Sequence, residues 1–299
     1  MASFGAEFNR VEYSRDLSEY WRRINESQGF DIEGIVGPKG MVTSGQLISY
    51  KCEGLGSSCY PFGQKVKYYG KLGLHRYNLI HGTNFELQDL IKFNMCYGGA
   101  SSFYITLEAR DKVTSGPLQI FQVCADEQEF GCLHVVCSIA RIKGDETTSV
   151  FAPPEIYDSV HRALPDWPSD AEMQRLFMVD RSELLNTHWI HFYLELLLCI
   201  KFGNFSEELN VSNLEFVNVV IETDNETPLK AKSSVLYIVF RGLAIDGTNE
   251  SVERKAIIKS MFNELTGSLT LHGIVCKGEH DVAPISTEEH FNIPLPNVS

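Results

Sequence analysis

The sequence has few features that announce a location or a chemistry. Its longest apolar stretch, Leu194 to Ile200, is interrupted by Glu195 and falls far short of the ~20 residues that span a bilayer. The first residues, MASFGAEFNRVEYSRD, carry acids early and no apolar core. That argues against secretion and against an acid-poor transit peptide, so a cytosolic or nuclear location is expected. Positive charge is scarce: 26 Lys and Arg stand against 39 Asp and Glu, for a net charge of -13. No basic patch gathers beyond Arg22-Arg23 and Lys65/Lys67, so neither nucleic acid nor an anionic membrane surface is an expected partner.

Catalytic signatures are missing too. The glycine-rich stretches GPKG (37–40) and CEGLGSSCYPFG (52–63) lack the Gly-X4-Gly-Lys-Ser/Thr pattern of a phosphate loop. No Cys-X-X-Cys and no His-Glu-X-X-His occurs. The 8 cysteines are expected to be mostly reduced, and Cys96, Cys124 and Cys137 sit in apolar runs where cysteine acts as a small hydrophobe.

What is present is a globular chain with a repeated order of elements. Hydrophobic residues make up 43% and charged residues 22%, enough to build a core. Leu17, Tyr20, Trp21 and Ile24 predict a helix over 16–29, with Gly29 as its stop. Residues 30–62 read as loop. A second helix is predicted over 64–83, where Val66, Gly70, Gly73 and Tyr77 share a face and the two glycines point to close approach of another backbone. Strand patterns follow at 85–97, 101–111, 117–127 and 132–142. Residues 143–181 read as a linker with a short helix at 156–163. A third helix is predicted over 182–202 with Ser182 as N-cap, then strands at 213–224, 233–244, 253–262 and 268–275, with a hairpin at NELTG (263–267).

The two series also match in detail. NFELQDLIKFN (84–94) mirrors NLEFVNVVIET (213–223), and SSFYITLEARD (101–111) mirrors SSVLYIVFRGL (233–243). The expected class is α+β: two tandem units, each a helix on a four-stranded antiparallel sheet, with an N-terminal helix. The expected division is an N-terminal helix and loop segment (1–62), unit 1 (63–143), a linker (144–181), unit 2 (182–277) and a flexible tail (278–299).

A helix followed by a four-stranded meander resembles the cystatin/monellin superfamily, and KLGLHRYN (71–78) and FYITLEA (103–109) resemble its helix and next strand. A closer resemblance is carried by LHRYNLIHGTNFEL (74–87), SFYITLEARD (102–111), PLQIFQ (117–122), LPDWPS (164–169), HWIHFYLEL (188–196) and KAIIKSMFNELTGSLTLHG (255–273). Together these resemble a plant-specific family of uncharacterised proteins with a cystatin/monellin-like region, one group of which is described as embryo-defective. The resemblance covers roughly residues 15–275. Cystatins block papain-like proteases through a Gln-X-Val-X-Gly loop. Here that position reads CYGGASS (96–102), without the glutamine and valine, and Trp167-Pro168 falls outside the meander. No inhibitory residue is carried over.

Four clusters invite chemistry. His188, His191 and Glu195 share a helix face and could hold zinc, but the apolar remainder of the helix favours reading them, with Thr187, as its solvated edge. His75 and His81 flank Tyr77-Asn78, where a histidine could act as a base; Thr83 and Asn84 look like turn formers. Cys132 and His134, with Cys124 nearby, could be nucleophile and base or metal ligands, or buried structural residues. The tail carries His280, Asp281, Glu288, Glu289 and His290. None is assigned a catalytic, metal or cofactor role. The leading expectation is a non-enzymatic interaction protein that binds a protein partner, because a meander leaves one sheet face free. Cysteine-protease inhibition is the alternative, and a ligand or enzymatic site in the helix–sheet cone is the second alternative.

Overall fold

A computed structural model describes residues 9–42, 45–52, 62–96, 99–113, 116–145, 163–203, 211, 213–242 and 252–276. The elements in chain order begin with helix α1 (Arg10–Glu26), strand β1 (Leu47–Lys51) and helix α2 (Gly63–His81). Strands β2 (Phe85–Cys96), β3 (Ser102–Asp111), β4 (Gln119–Glu127) and β5 (Leu133–Ile142) follow. Next come α3 (Asp170–Met173), β6 (Phe177–Met178), α4 (Arg181–Asn186) and α5 (His188–Phe202). The chain then builds β7 (Glu215–Glu222), β8 (Ser234–Arg241), β9 (Arg254–Phe262) and β10 (Leu269–Val275).

All ten strands join one antiparallel sheet in the order β1-β2-β3-β4-β5-β10-β9-β8-β7-β6. The order runs outward in both directions from the central β5–β10 pair, in which Leu269 faces Cys137 and His272 faces His134. The two helix-plus-meander halves therefore meet edge to edge. Both meanders also carry a register shift between their first two strands, near Leu87/Asp89 in one and Phe216/Asn218 in the other. One face of the sheet packs under α2 and α5, and its alternate residues Phe103, Ile105, Leu107, Val123, Val135, Leu271, Ile258 and Ile238 form a single apolar core with Tyr69, Leu72, Tyr193 and Leu197. The glycines of α2 let the helix settle onto side chains, where another backbone was expected. A Cβ on Gly70 would lie 2.9 Å from Leu107 Cδ2, and one on Gly73 would lie 2.9 Å from Val123 Cβ and overlap both its methyls.

The opposite face is not free, as the bare meander implies, because the chain covers it twice. On the first half, Tyr20 and Ile24 of α1 pack with Ile32 and Leu47, against Trp21, Cys96 and Tyr104. Lys92 reaches Asp31 (3.0 Å) and Glu33 (2.5 Å), and Asn94 Nδ2 donates to the carbonyls of Gly29 and Phe30. On the second half, Leu164, Trp167, Met173 and Leu176 lie over Val220, Tyr237 and Ile257. Trp167 meets Tyr237 edge-on at 5.7 Å. Between the two covers, Gln122, Arg141, Asp126, Ser138, His134 and His272 leave a polar strip along the seam.

Several elements differ from the sequence reading for local reasons. Helix α1 begins at Arg10, because Asn9 Oδ1 accepts from the backbone N–H of Val11 and Glu12. Residues 47–51, read as loop, form an edge strand whose Leu47 N–H donates to Tyr20 Oη (2.9 Å). Residues 170–173 are helical and 177–178 pair with β7, whereas the short helix expected at 156–163 lies outside the described residues apart from Ala163. The helix expected over 182–202 is two helices. Asp180 precedes the first, with its N–H on the Glu183 carboxylate, and Ser182 lies inside it. Thr187 leaves helical backbone geometry, with φ -108 and ψ 69, and separates the two. The tail cluster lies outside the described residues, as do Tyr97 and Gly98 of the CYGGASS stretch. Among the described residues no helix is long and apolar enough to cross a membrane.

Candidate functional site

The most chemical-looking stretch, His75 to His81, ends helix α2, and each of its polar residues has a mechanical task. His75 turns toward α5, where its neighbours are the rings of Phe192 (6.2 Å) and Tyr193 (5.5 Å). Burial pushes its imidazole down to about 4, so the ring is neutral at physiological pH. Among the described residues no acid or nucleophile hydrogen-bonds it, and a base needs a proton donor within reach. Arg76 is buried and crosses between the halves, with Nε on the Gly267 carbonyl (2.6 Å) in the β9–β10 hairpin and Nη1 on the Ala140 carbonyl of β5 (3.4 Å).

Tyr77 packs edge-on against Phe85 and Phe121 and lies 4.1 Å from the ring of exposed His81. Asn78 ties the helix to the next strand. Its Oδ1 accepts from Phe85 N–H (2.8 Å) and Thr83 Oγ1 (2.9 Å), and its Nδ2 donates to the Phe85 carbonyl (2.9 Å). Gly82, at φ +65, closes the helix in the left-handed region.

The His188/His191/Glu195 stripe is divided between two neighbours. His191 packs edge-on on Phe216 of β7 at 4.4 Å, and burial lowers its pKa, with Glu195 opposing. Glu195 Oε2 accepts from Tyr68 Oη of α2 at 3.3 Å, while His188 is exposed. Cys124 and Cys132 are also separated in role. Cys124 is buried beside Asp126 and Ser138, and burial holds its thiol well above the usual range, which leaves no thiolate to act. Cys132 lies in the β4–β5 turn, raised by burial and by Glu129. Among the described residues, no group of three or more His, Cys, Asp or Glu is placed to hold a metal.

Two constellations are not legible from spacing alone. His134 stacks on His272 across the seam, with centroids 4.7 Å apart and planes at 20°. Near the start of α2, the Glu127 carboxylate, 4% exposed, accepts from Lys65 Nζ (2.9 Å), Tyr69 Oη (2.7 Å) and Ser101 N–H (3.3 Å). Both join residues far apart in the chain: strand register brings the first together and the packing of α2 on the sheet the second. A shallow groove of about 300 Å³ lies between α1 and residues 36–39, lined by Asp16, Tyr20, Arg23 and Lys39. Its mixed charges converge on no single point.

The molecule thus defines a class: an α+β protein built on one broad antiparallel sheet, with two helices on one face and the chain's own segments on the other. The family model for Protein MS5 matches residues 164–271. The crystal structure of MS5 from Brassica napus superposes with a TM-score of 0.57 at 27% identity, covering 71% of this chain and 96% of that one. Among Arabidopsis thaliana proteins, UPF0725 protein At1g02770 is 39% identical over 88% of this chain and 83% of its own length. UPF0725 protein EMB2204 is 41% identical over 94% of this chain and 85% of its own. The chain belongs to this plant-specific UPF0725 family, which carries no assigned function.

Proposed function

We propose that the protein is a non-enzymatic interaction module, built from two cystatin/monellin-like halves (63–143 and 182–277) in tandem. The helix-plus-meander order of each half supports that reading of the fold. One observation carries the function: apolar side chains exposed where the α2 C-terminus, the β3–β4 turn and the β9–β10 hairpin meet. Leu265 is 98% exposed at the hairpin tip and Val113 77% exposed in the turn, with Ile80 and Leu118 also exposed. The hairpin sits against α2, since a Cβ on Gly267 would lie 3.6 Å from Ile80 Cδ1, and the turn is tied to the helix joint by Lys112 N–H on the Asn84 carbonyl. Exposed apolar side chains carried at one end of the sheet offer the kind of surface a protein contact can use.

Of the candidate histidines, His75 and His191 pack against aromatic rings. The close fit of Gly70 and Gly73 on β3 and β4 leaves no cone for a ligand at those points. The test is affinity capture from plant tissue with the full chain, comparing wild type with a Leu265→Asp/Val113→Asp variant of equal stability. A partner retained by wild type and lost by the variant supports the module. Identical capture by both sinks this surface. Addition to papain at micromolar concentration is expected to leave hydrolysis unchanged.

A further inference from the structure

We propose that the stacked histidine pair makes the junction between the two halves acid-labile: His134 and His272 hold the β5–β10 seam while neutral and loosen it when both are protonated. The two residues are direct cross-strand partners on the strip between the two covers. Their rings lie 4.7 Å apart and nearly parallel, and His134 is only 8% exposed. Neutral rings in this arrangement attract. A first proton can be accommodated, but a second would place two cations at stacking distance, so the pair titrates as a coupled unit with its second step depressed.

The charged groups near the pair act in both directions. Lys259 of β9 stands directly opposite His272 and adds positive charge. Just past β4, the backbone N–H of Gln128, an uncharged residue, donates to the His134 carbonyl. Asp126, one row further along β4, is the opposing negative charge and accepts from Ser138 Oγ and Cys124 Sγ, while on β5 Arg141 adds a cation that donates to Gln122. A histidine whose folded pKa is depressed contributes stability that is whole above its unfolded pKa, near ~6.5, and lost as pH falls below it.

The experiment pairs NMR titration of the histidine rings with hydrogen exchange of the intact chain at about pH 7.5 and about pH 5. Expected is a depressed second ring titration. Beside it, protection of the β5–β10 amides should drop roughly tenfold or more beyond that of the β3–β4 and β8–β9 ladders, after correction for intrinsic rates. His272→Gln should abolish that local difference, and His134→Gln serves the same comparison if the first variant does not fold. Both rings titrating at or above the ordinary histidine value would overturn the proposal. So would equal loss across all three ladders, or an undiminished local loss in the glutamine variant.

Discussion

Gly73→Ala tests whether α2 is seated as tightly as the geometry indicates. Helix propensity alone predicts a gain of about 1 kcal/mol, since glycine inside a helix is worse than alanine by that amount. The packing predicts a loss. The new methyl would overlap both methyls of Val123, which is fully buried on β4 and has no free direction in which to move. Overpacking of this kind costs about 1–3 kcal/mol. The balance is a net destabilisation of up to about 2 kcal/mol, read as a fall in the urea midpoint at unchanged slope.

A cycle with Val123→Ala isolates the contact. That change alone removes two buried methyls and costs about 2 kcal/mol. In the double variant the alanine methyl occupies the vacated space, so the double should be at least ~1 kcal/mol more stable than the sum of the singles. Gly73→Ala with raised stability, or a cycle that adds without coupling, would refute the close seating of α2 on β4.

Three further outcomes follow from the polar contacts. His75 is neutral in the fold, with its pKa pushed down to about 4. Its contribution is whole above ~6.5 and declines towards pH 4 by up to about 3 kcal/mol, and His75→Leu should flatten that part of the stability–pH curve measured by denaturant titration. Asn78→Ala removes the partner of Phe85 N–H and Thr83 Oγ1 and should cost about 1–3 kcal/mol, with faster exchange of the first β2 amides. Glu127→Gln strands Lys65, whose side chain keeps 15% exposure, so about 2 kcal/mol is expected, short of a fully enclosed pair. Adding Lys65→Met should restore part of it in thermal melts.

Periodicity made eight of the ten strands legible, because their faces are unequal: Phe103, Ile105 and Leu107 turn to the core while Tyr104, Thr106 and Glu108 do not. The two missed strands are edge elements. Leu47–Lys51 is five residues long and Phe177–Met178 two, and each is a strand only because a neighbour pairs with it. The break at Thr187 was hidden for a related reason, since the apolar pattern continues through it and only the backbone turns. How the halves join was beyond sequence reasoning. Tandem meanders can meet by face or by edge, and the choice here rests on β5 pairing with β10, 269–273 with 133–137. What surrounds His75, His191 and Glu195 was equally beyond sequence reasoning, since each meets a neighbour that lies far along the chain.

That joining explains why His75, Arg76, Tyr77 and Asn78 stand together in one turn of helix. Successive helical residues point about 100° apart, so four in a row reach four different neighbours. Here the neighbours are α5, the β9–β10 hairpin, the Phe85/Phe121 pair and the start of β2. Two of these lie in the first half and two in the second. The corresponding turn of α5 has no such set, and it needs none, because a contact between two halves has to be supplied from one side only. Arg76 carries the largest share of that duty. Its buried guanidinium bridges a carbonyl of β5 and a carbonyl of the hairpin entering β10, the two strands that form the seam. A distinctive polar cluster can therefore arise without any reaction to catalyse, wherever one helix end must position another part of the same sheet.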